Sequence, residues 1–195
     1  MVNAHDLLWG MTPAHLPAGA PAWAADALAA VVVRRAIVAP GLVAVGVRGR
    51  LREQRLGAVM PMAAIQRRVA PEALCEVTSP RDLPALQALV QLRPVLAPLN
   101  WGVTGSAGFE LATGIEALHA QSDLDLILRT PEPLDRNDAR DLLATLDKAV
   151  CAVDLQLQTP FGAVALREWA GRSRRVLLKT ASGAHLVIDP WQAVA

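Results

Sequence analysis

The chain has no tyrosine, only two phenylalanines and only two cysteines in 195 residues. Aromatics make up 4% against 53% hydrophobic residues. Its core must therefore be aliphatic, and so apolar a chain is not disordered. Cys75 and Cys151 stand alone, with no CxxC spacing and no neighbouring histidine, which argues against a zinc site and for a reducing compartment. No lysine or arginine precedes Arg34, so the charged start of a secretory signal is not expected. The longest apolar run, Ala27 to Val33, is too short to cross a bilayer. A soluble cytoplasmic protein without membrane attachment is the expectation. Lysine is scarce too: Lys148 and Lys179 are the only two among 19 basic residues. The net charge of +1 speaks against a strongly basic nucleic-acid binder. Arginine suits bidentate contacts with phosphate or carboxylate, although a genomic codon bias gives the same excess.

The charge that is present is unevenly spread. Residues 1–80 hold eight arginines against five acids, a balance of +3, and residues 81–195 hold eleven basic groups against thirteen acids, a balance of −2. This suggests two lobes: residues 1–80 a basic α/β lobe suited to gripping phosphate, residues 81–195 a carboxylate-bearing domain. In the first lobe, a helix is expected near Ala22–Leu28, strands near Val31–Arg34 and Ala44–Arg48, and a helix followed by loop over Pro61–Pro80. In the second, the pattern predicts a helix from Arg81 ending near Pro94 or Pro98, then a strand at Trp101–Thr104. A helix follows from Gly108 to Leu118, then a strand over Asp123–Arg129 and a helix capped by Asp135 or Asn137. Val150–Gln158 alternates as a strand. Thr159-Pro160 reads as the cap and first turn of a helix reaching Gly171. A closing hairpin uses Arg175–Lys179 and His185–Ile188. Helices alternating with strands imply an α/β fold with a mixed sheet.

Within this pattern Asp123 and Asp125 are out of place. They share one face of a strand that otherwise reads Leu-x-Leu-Ile-Leu, where they repel each other. Asp154 lies on the polar face of the next strand. Neighbouring strands are roughly 5 Å apart, so the three carboxylates can converge. Magnesium takes hard oxygen ligands, often carboxylates together with substrate phosphates, and two such ions can clamp the attacking and leaving oxygens of a phosphoryl transfer. Upstream, Gly105-Ser106 forms a turn between strand and helix. There a phosphate can approach the backbone, meet the helix N-terminus and accept from the Ser106 hydroxyl. Each piece alone has an ordinary reading: a strand-end Asp-x-Asp, a turn, a solvated strand face. Their conjunction is more specific.

Other chemistry is not supported. The glycines at 102, 105 and 108 do not form GxGxxG, and there is no GxxxxGK[ST] loop. Ser106 lies outside any GxSxG elbow. The histidines at 5, 15, 119 and 185 show no HExxH spacing.

The order Gly-Ser, Asp-x-Asp, Asp resembles the nucleotidyltransferase superfamily. Sixteen residues separate Ser106 from Asp123, more than that superfamily usually has. HDLLWG, AVGVRGRLREQR, WGVTGSAGFELATG, SDLDLIL and VDLQLQTPFGAVALREW together resemble the malonate decarboxylase holo-acyl carrier protein synthases, also called phosphoribosyl-dephospho-CoA transferases, over nearly the whole chain.

That resemblance implies a two-lobed α/β protein with a nucleotidyltransferase-like second lobe. The donor it implies is 2'-(5''-triphosphoribosyl)-3'-dephospho-CoA, and the acceptor is a serine of the apo acyl carrier subunit of malonate decarboxylase. Diphosphate is released. Asp123 and Asp125 match the family's active-site aspartates, Asp154 the superfamily's third acid, and the three would hold two magnesium ions. Gly105 and Ser106 would hold the triphosphate. Arg48, Arg52 and Arg55 could reach it from the first lobe; those three share a face if the stretch is a helix, and Arg48, Arg50 and Arg52 do if it is a strand. A solvated arginine surface explains them equally well, and Lys179 is a further phosphate candidate. Two other readings stand beside this one. The chain could be a nucleotidyltransferase that adenylates a protein or small molecule with ATP, or a degenerate one that only binds.

Overall fold

A computed structural model describes residues 2–51 and 53–193. The chain divides after Ala70 into two compact units, where the sequence pattern had suggested a boundary near residue 80. Among the described residues, no helix is long and apolar enough to cross a membrane.

In the first unit the strands are β1 (Leu7–Trp9), β2 (Val31–Val33), β3 (Leu42–Arg48), β4 (Arg55–Pro61) and β5 (Arg67–Val69), with the short helix α1 (Trp23–Asp26). The sheet order is β4-β3-β2-β1-β5. Every pairing in it is antiparallel. Alternation sends Val43, Val45 and Val47 inward, onto Leu8, Val31 and Met60. Asp6, inside the HDLLWG segment, is fully buried and accepts from Asn3 N at 2.8 Å and Arg68 Nε at 2.6 Å.

Residues 61–80 do not form the expected helix. They hold a 3-10 turn at Met62–Ala64, the strand β5 and a second 3-10 turn at Pro71–Leu74. Pro71 would fall mid-helix there, where it lacks the N–H and crowds the preceding turn, unlike Pro94, which lies in the last turn of the helix Pro84–Leu96. Arg67 and Arg68 have partners only on the extended path: Arg67 lies over the Trp9 ring at 4.5 Å, and Arg68 pairs with Asp6.

In the second unit the helices are α2 (Pro84–Leu96), α3 (Gly105–Thr113), α4 (Arg136–Leu146) and α5 (Leu166–Trp169). The strands are β6 (Trp101–Val103), β7 (Leu124–Arg129), β8 (Val153–Thr159), β9 (Gly162–Ala165), β10 (Val176–Lys179) and β11 (Ala184–Val187). They form one mixed sheet in the order β11-β10-β9-β8-β7-β6. β7 and β8 are its parallel pair, joined by the α4 crossover, and the other neighbours are antiparallel. α2 starts with Pro84 in its first turn and buries Leu86, Leu89, Leu92 and Leu96 at helical spacing, running through Pro94. Asp135 caps α4 by accepting from Asn137 N at 2.7 Å.

Two expected helices differ from the observed ones. α3 begins at Gly105 itself and stops at Gly114, which takes the left-handed conformation with φ +73°. Thr159-Pro160 opens no helix. The Thr159 hydroxyl accepts from Phe161 N and Gly162 N at 3.2 Å and donates to Pro190 O at 2.8 Å. That side chain satisfies a hairpin turn, and the apolar run after it pairs back as β9. A helix forms only at Leu166–Trp169.

Candidate functional site

The parallel register of β7 and β8 sets Asp125 directly opposite Asp154. Each is the second residue of its strand, so both carboxylates project from the same sheet face at the same edge. Asp125 is half-buried and Asp154 exposed. Gln156 follows on that face, and its Oε1 is buried with no hydrogen-bond partner among the described residues. Asp123 is exposed and falls one residue ahead of β7. Its charge reaches Cys151, whose thiol is pushed up first by burial and then by Asp123, against a lowering backbone hydrogen bond.

α3 begins against this acid pair. Thr104 N donates to Asp125 O at 2.9 Å, tying the turn to β7. Gly105 has φ +61°, and a Cβ there would collide with the Asp125 carboxylate. The position therefore demands glycine twice, for its left-handed backbone and for the carboxylate packed on it. Gly108 has a different reason: a Cβ there would press within 2.6 Å of Val103 O, so glycine lets α3 lie close on β6. Ser106 sits half-buried in the first turn of α3. A helix N-terminus favours negative charge, and the Asp125 carboxylate lies against its first residue.

The long spacer between Ser106 and Asp123 has its own anchor, which the sequence pattern did not disclose. Glu110 is 5% exposed and takes both Arg81 Nη1 contacts, at 2.7 and 2.8 Å, along with Ala117 N at 2.7 Å and Leu118 N at 2.9 Å. Burial alone would raise its carboxyl, but the two amides and the Arg81 guanidinium outweigh burial and hold it below the usual range. Arg81 Nη2 also reaches Leu118 O at 3.3 Å. A glutamate between Phe109 and Leu111, on a helix with a buried face, was the only hint in the sequence.

The remaining candidates are placed as follows. Lys179 ends β10, two strands from β8, in the row that runs through Ala163 to Gln158. Its backbone is roughly 13 Å along and 10 Å across from Asp154, so the fold does not bring it to the carboxylates. Arg48 and Arg55 are partners across the β3–β4 hairpin of the first unit. They meet because the chain turns between them, not because they share one strand or one helix. Arg55 Nη1 donates to Leu51 O at 3.3 Å and Gln54 O at 3.0 Å. Arg52 lies outside the described residues. Cys75 is pushed up to about 11, first by burial and then by Glu72 and Glu76, and its Sγ donates to Trp101 O at 3.3 Å. It is a protonated structural thiol at neutral pH.

Among the described residues, no three His, Cys, Asp or Glu side chains are gathered closely enough to hold a metal ion. What the fold does assemble is the Asp125–Asp154 pair, the orphaned Gln156 oxygen and a glycine cradle at a helix start. These are hard oxygen donors, and they fit magnesium, which commonly takes one or two carboxylates and completes its shell with substrate phosphates and water.

Comparison with known proteins gives a consistent result. A family model described as the phosphoribosyl-dephospho-CoA transferase MdcG N-terminal domain matches residues 3–71, and its C-terminal counterpart matches residues 73–190. The chain is 66% identical to the phosphoribosyl-dephospho-CoA transferase of Pseudomonas fluorescens strain Pf0-1, over 98% of this chain and 97% of that one. It is 57% identical to the enzyme of that name from Pseudomonas aeruginosa, covering 96% and 93%. Against the one from Azotobacter vinelandii it is 56% identical, covering 98% and 95%. No solved structure matches the chain.

Proposed function

The chain belongs to the phosphoribosyl-dephospho-CoA transferase family, and from that premise we propose that it moves the phosphoribosyl-dephospho-CoA group of 2'-(5''-triphosphoribosyl)-3'-dephospho-CoA onto a serine hydroxyl of the apo acyl carrier subunit of malonate decarboxylase. The observation that carries the chemistry is the in-register Asp125–Asp154 pair beside Gly105. The serine oxygen bonds to the α-phosphorus, the bond from that phosphorus to the bridging oxygen of the β-phosphate breaks, and diphosphate departs. The serine proton passes to Asp154, whose side chain is exposed. Gly105 and Ser106 present the start of α3 to the triphosphate oxygens. Asp125 and Asp154 would hold magnesium, and Asp123, exposed one residue ahead of β7, is proposed to add charge beside them. Bound magnesium supplies charge neutralisation on the phosphates, the dominant need in phosphoryl transfer. Gln156 Oε1, buried without a partner among the described residues and two residues along β8 from Asp154, is proposed to accept a hydrogen bond or complete an oxygen shell. Arg48, Arg52 and Arg55, the first unit's candidates, are proposed as phosphate-binding cations.

The test is intact-mass spectrometry of apo carrier incubated with the protein, magnesium and the triphosphoribosylated donor. One phosphoribosyl-dephospho-CoA adduct on one serine, with one diphosphate released per adduct, is expected. A carrier modified only when ATP replaces that donor would put an adenylating activity in its place.

A further inference from the structure

The second unit has a cleft of about 440 Å³, whose lining includes none of the three carboxylates nor the Gly105-Ser106 turn. Arg136, Arg140, Arg172 and Arg174 line it against a single acid, Asp189. That acid is engaged elsewhere: its two oxygens accept from Trp191 N at 2.9 Å and Gln192 Nε2 at 3.0 Å.

Two of the arginines are fixed in place. Arg136 lies over the Trp169 ring at 4.1 Å and donates to Gly171 O and Ser173 O, both at 3.0 Å. Arg140 donates to Ala170 O at 3.1 Å and Asn137 Oδ1 at 2.7 Å. Neutral acceptors leave both positive charges uncompensated. Arg172 and Arg174 extend from the loop that these contacts hold. Both are exposed, and neither side chain has a hydrogen bond or ion pair among the described residues. The result is a concave site with four positive charges against one negative, rich in forked N–H donors.

We infer that this cleft is a second phosphate-recognition site, built for a diphosphate group. Its volume is in the range of small-ligand clefts, roughly 300–1,000 Å³. A diphosphate's several negative charges complement the surplus of arginine. An aromatic base gains nothing there, because the Trp169 face is already covered by Arg136 and Trp191 stands against Trp169 edge-on, with ring centroids 5.1 Å apart. Diphosphate chemistry has two sources in the proposed reaction: the inorganic product and the bridge within the dephospho-CoA arm. The inference stands on the arginines alone, and the transfer reading enters only in naming those sources.

Calorimetric titration of the full-length protein with inorganic diphosphate, in EDTA at low salt, tests it. Without magnesium the carboxylate edge repels the ligand. Arg172→Ala/Arg174→Ala removes only exposed, unpaired cations, so folding is retained, as circular dichroism will verify. Affinity should weaken at least tenfold, since charged hydrogen bonds contribute about 1.5–3 kcal/mol each, or tenfold and more in Kd. Dephospho-CoA displacing diphosphate would identify the donor arm as the occupant; failure to displace it would identify the free product. Diphosphate affinity unchanged in the double variant would overturn the proposal. So would hexaglutamate binding through these two arginines while diphosphate does not bind. The adduct assay on the carrier is read separately, so loss of one reading leaves the other standing.

Discussion

The two sheets gather like charges by opposite means. In the first unit all pairings are antiparallel, and Arg48 and Arg55 meet because they flank a hairpin turn. In the second, Asp125 and Asp154 meet because β7 and β8 are parallel and start at the same edge. Antiparallel neighbours begin at opposite ends, so the last residue of one strand lies beside the first of the next, and in a hairpin those two are also close in sequence. Parallel neighbours place their first residues side by side while the crossover stays elsewhere. A turn is local and exposed, and its cations are tuned at little cost to the core. A parallel edge is rooted in the core: Leu124 and Leu126, on either side of Asp125, are almost fully buried. The acidic pair should therefore be rigid and intolerant of change, the basic pair adaptable.

The sharpest break in that comparison is Asp125→Asn. It should change the melting temperature little, because relief of the repulsion from Asp154 is set against loss of a negative charge at the start of α3. Transfer should fall more than about a hundredfold, since losing the neutralisation of transferred phosphate removes several kcal/mol. Diphosphate release beside a thermal melt checks both, and near-normal turnover would discard the carboxylate site. Asp123→Asn is expected to act in the same direction.

Next in size is Glu110→Ala, which removes the close carboxylate partner of Arg81 and the acceptor of two amides, leaving Arg81 its contacts with Leu118 O and Glu116. Breaking such a pair costs about 3–5 kcal/mol, less the share that water recovers at the partly exposed Arg81. The Glu110 carboxyl titrates lower in the folded state than in the unfolded chain. Its contribution is therefore complete above the ordinary glutamate range and is lost as pH falls through the depressed folded value. Urea melts between neutral pH and about pH 3 should show a falling stability that the variant lacks in part.

Gly105→Ala should cost about 1–2 kcal/mol for the left-handed backbone alone, and more as the Asp125 carboxylate is pushed aside. Transfer should drop in proportion further than stability. A variant with normal kinetics would separate the turn from the acid edge. Smallest is Arg48→Ala or Arg55→Ala, expected to raise the donor KM roughly tenfold with little change in melting. Unchanged KM in both would make the hairpin an ordinary solvated surface.

These expectations rest on features the sequence disclosed unevenly. β7, β8 and the closing hairpin were legible because alternation over several residues has few other solutions. The Gly105 turn was legible too, since glycine before a small polar residue and an apolar stretch has a mechanical reason. β5 was hidden, being three residues long and rich in arginine; its partners Trp9 and Asp6 lie some sixty residues upstream. Thr159-Pro160 misled because a capping threonine serves a hairpin as well as a helix. The in-register meeting of Asp125 and Asp154 depends on which strands pair and in what direction, and no local pattern encodes that. Arg48 and Arg55 are neighbours across a hairpin, a geometry that neither the single strand nor the single helix read from the sequence anticipates.

The Glu110 anchor has a consequence for chain length. Ten residues, 114–123, connect α3 to β7. Glu110 fixes that connection at Ala117 and Leu118, dividing it into two short loops. Closing a loop costs only about 0.6 kcal/mol for each doubling of its length. With its midpoint pinned, residues inserted on either side add slack to one half without pulling on the other. The distance in sequence between Ser106 and Asp123 is thereby freed from their distance in space.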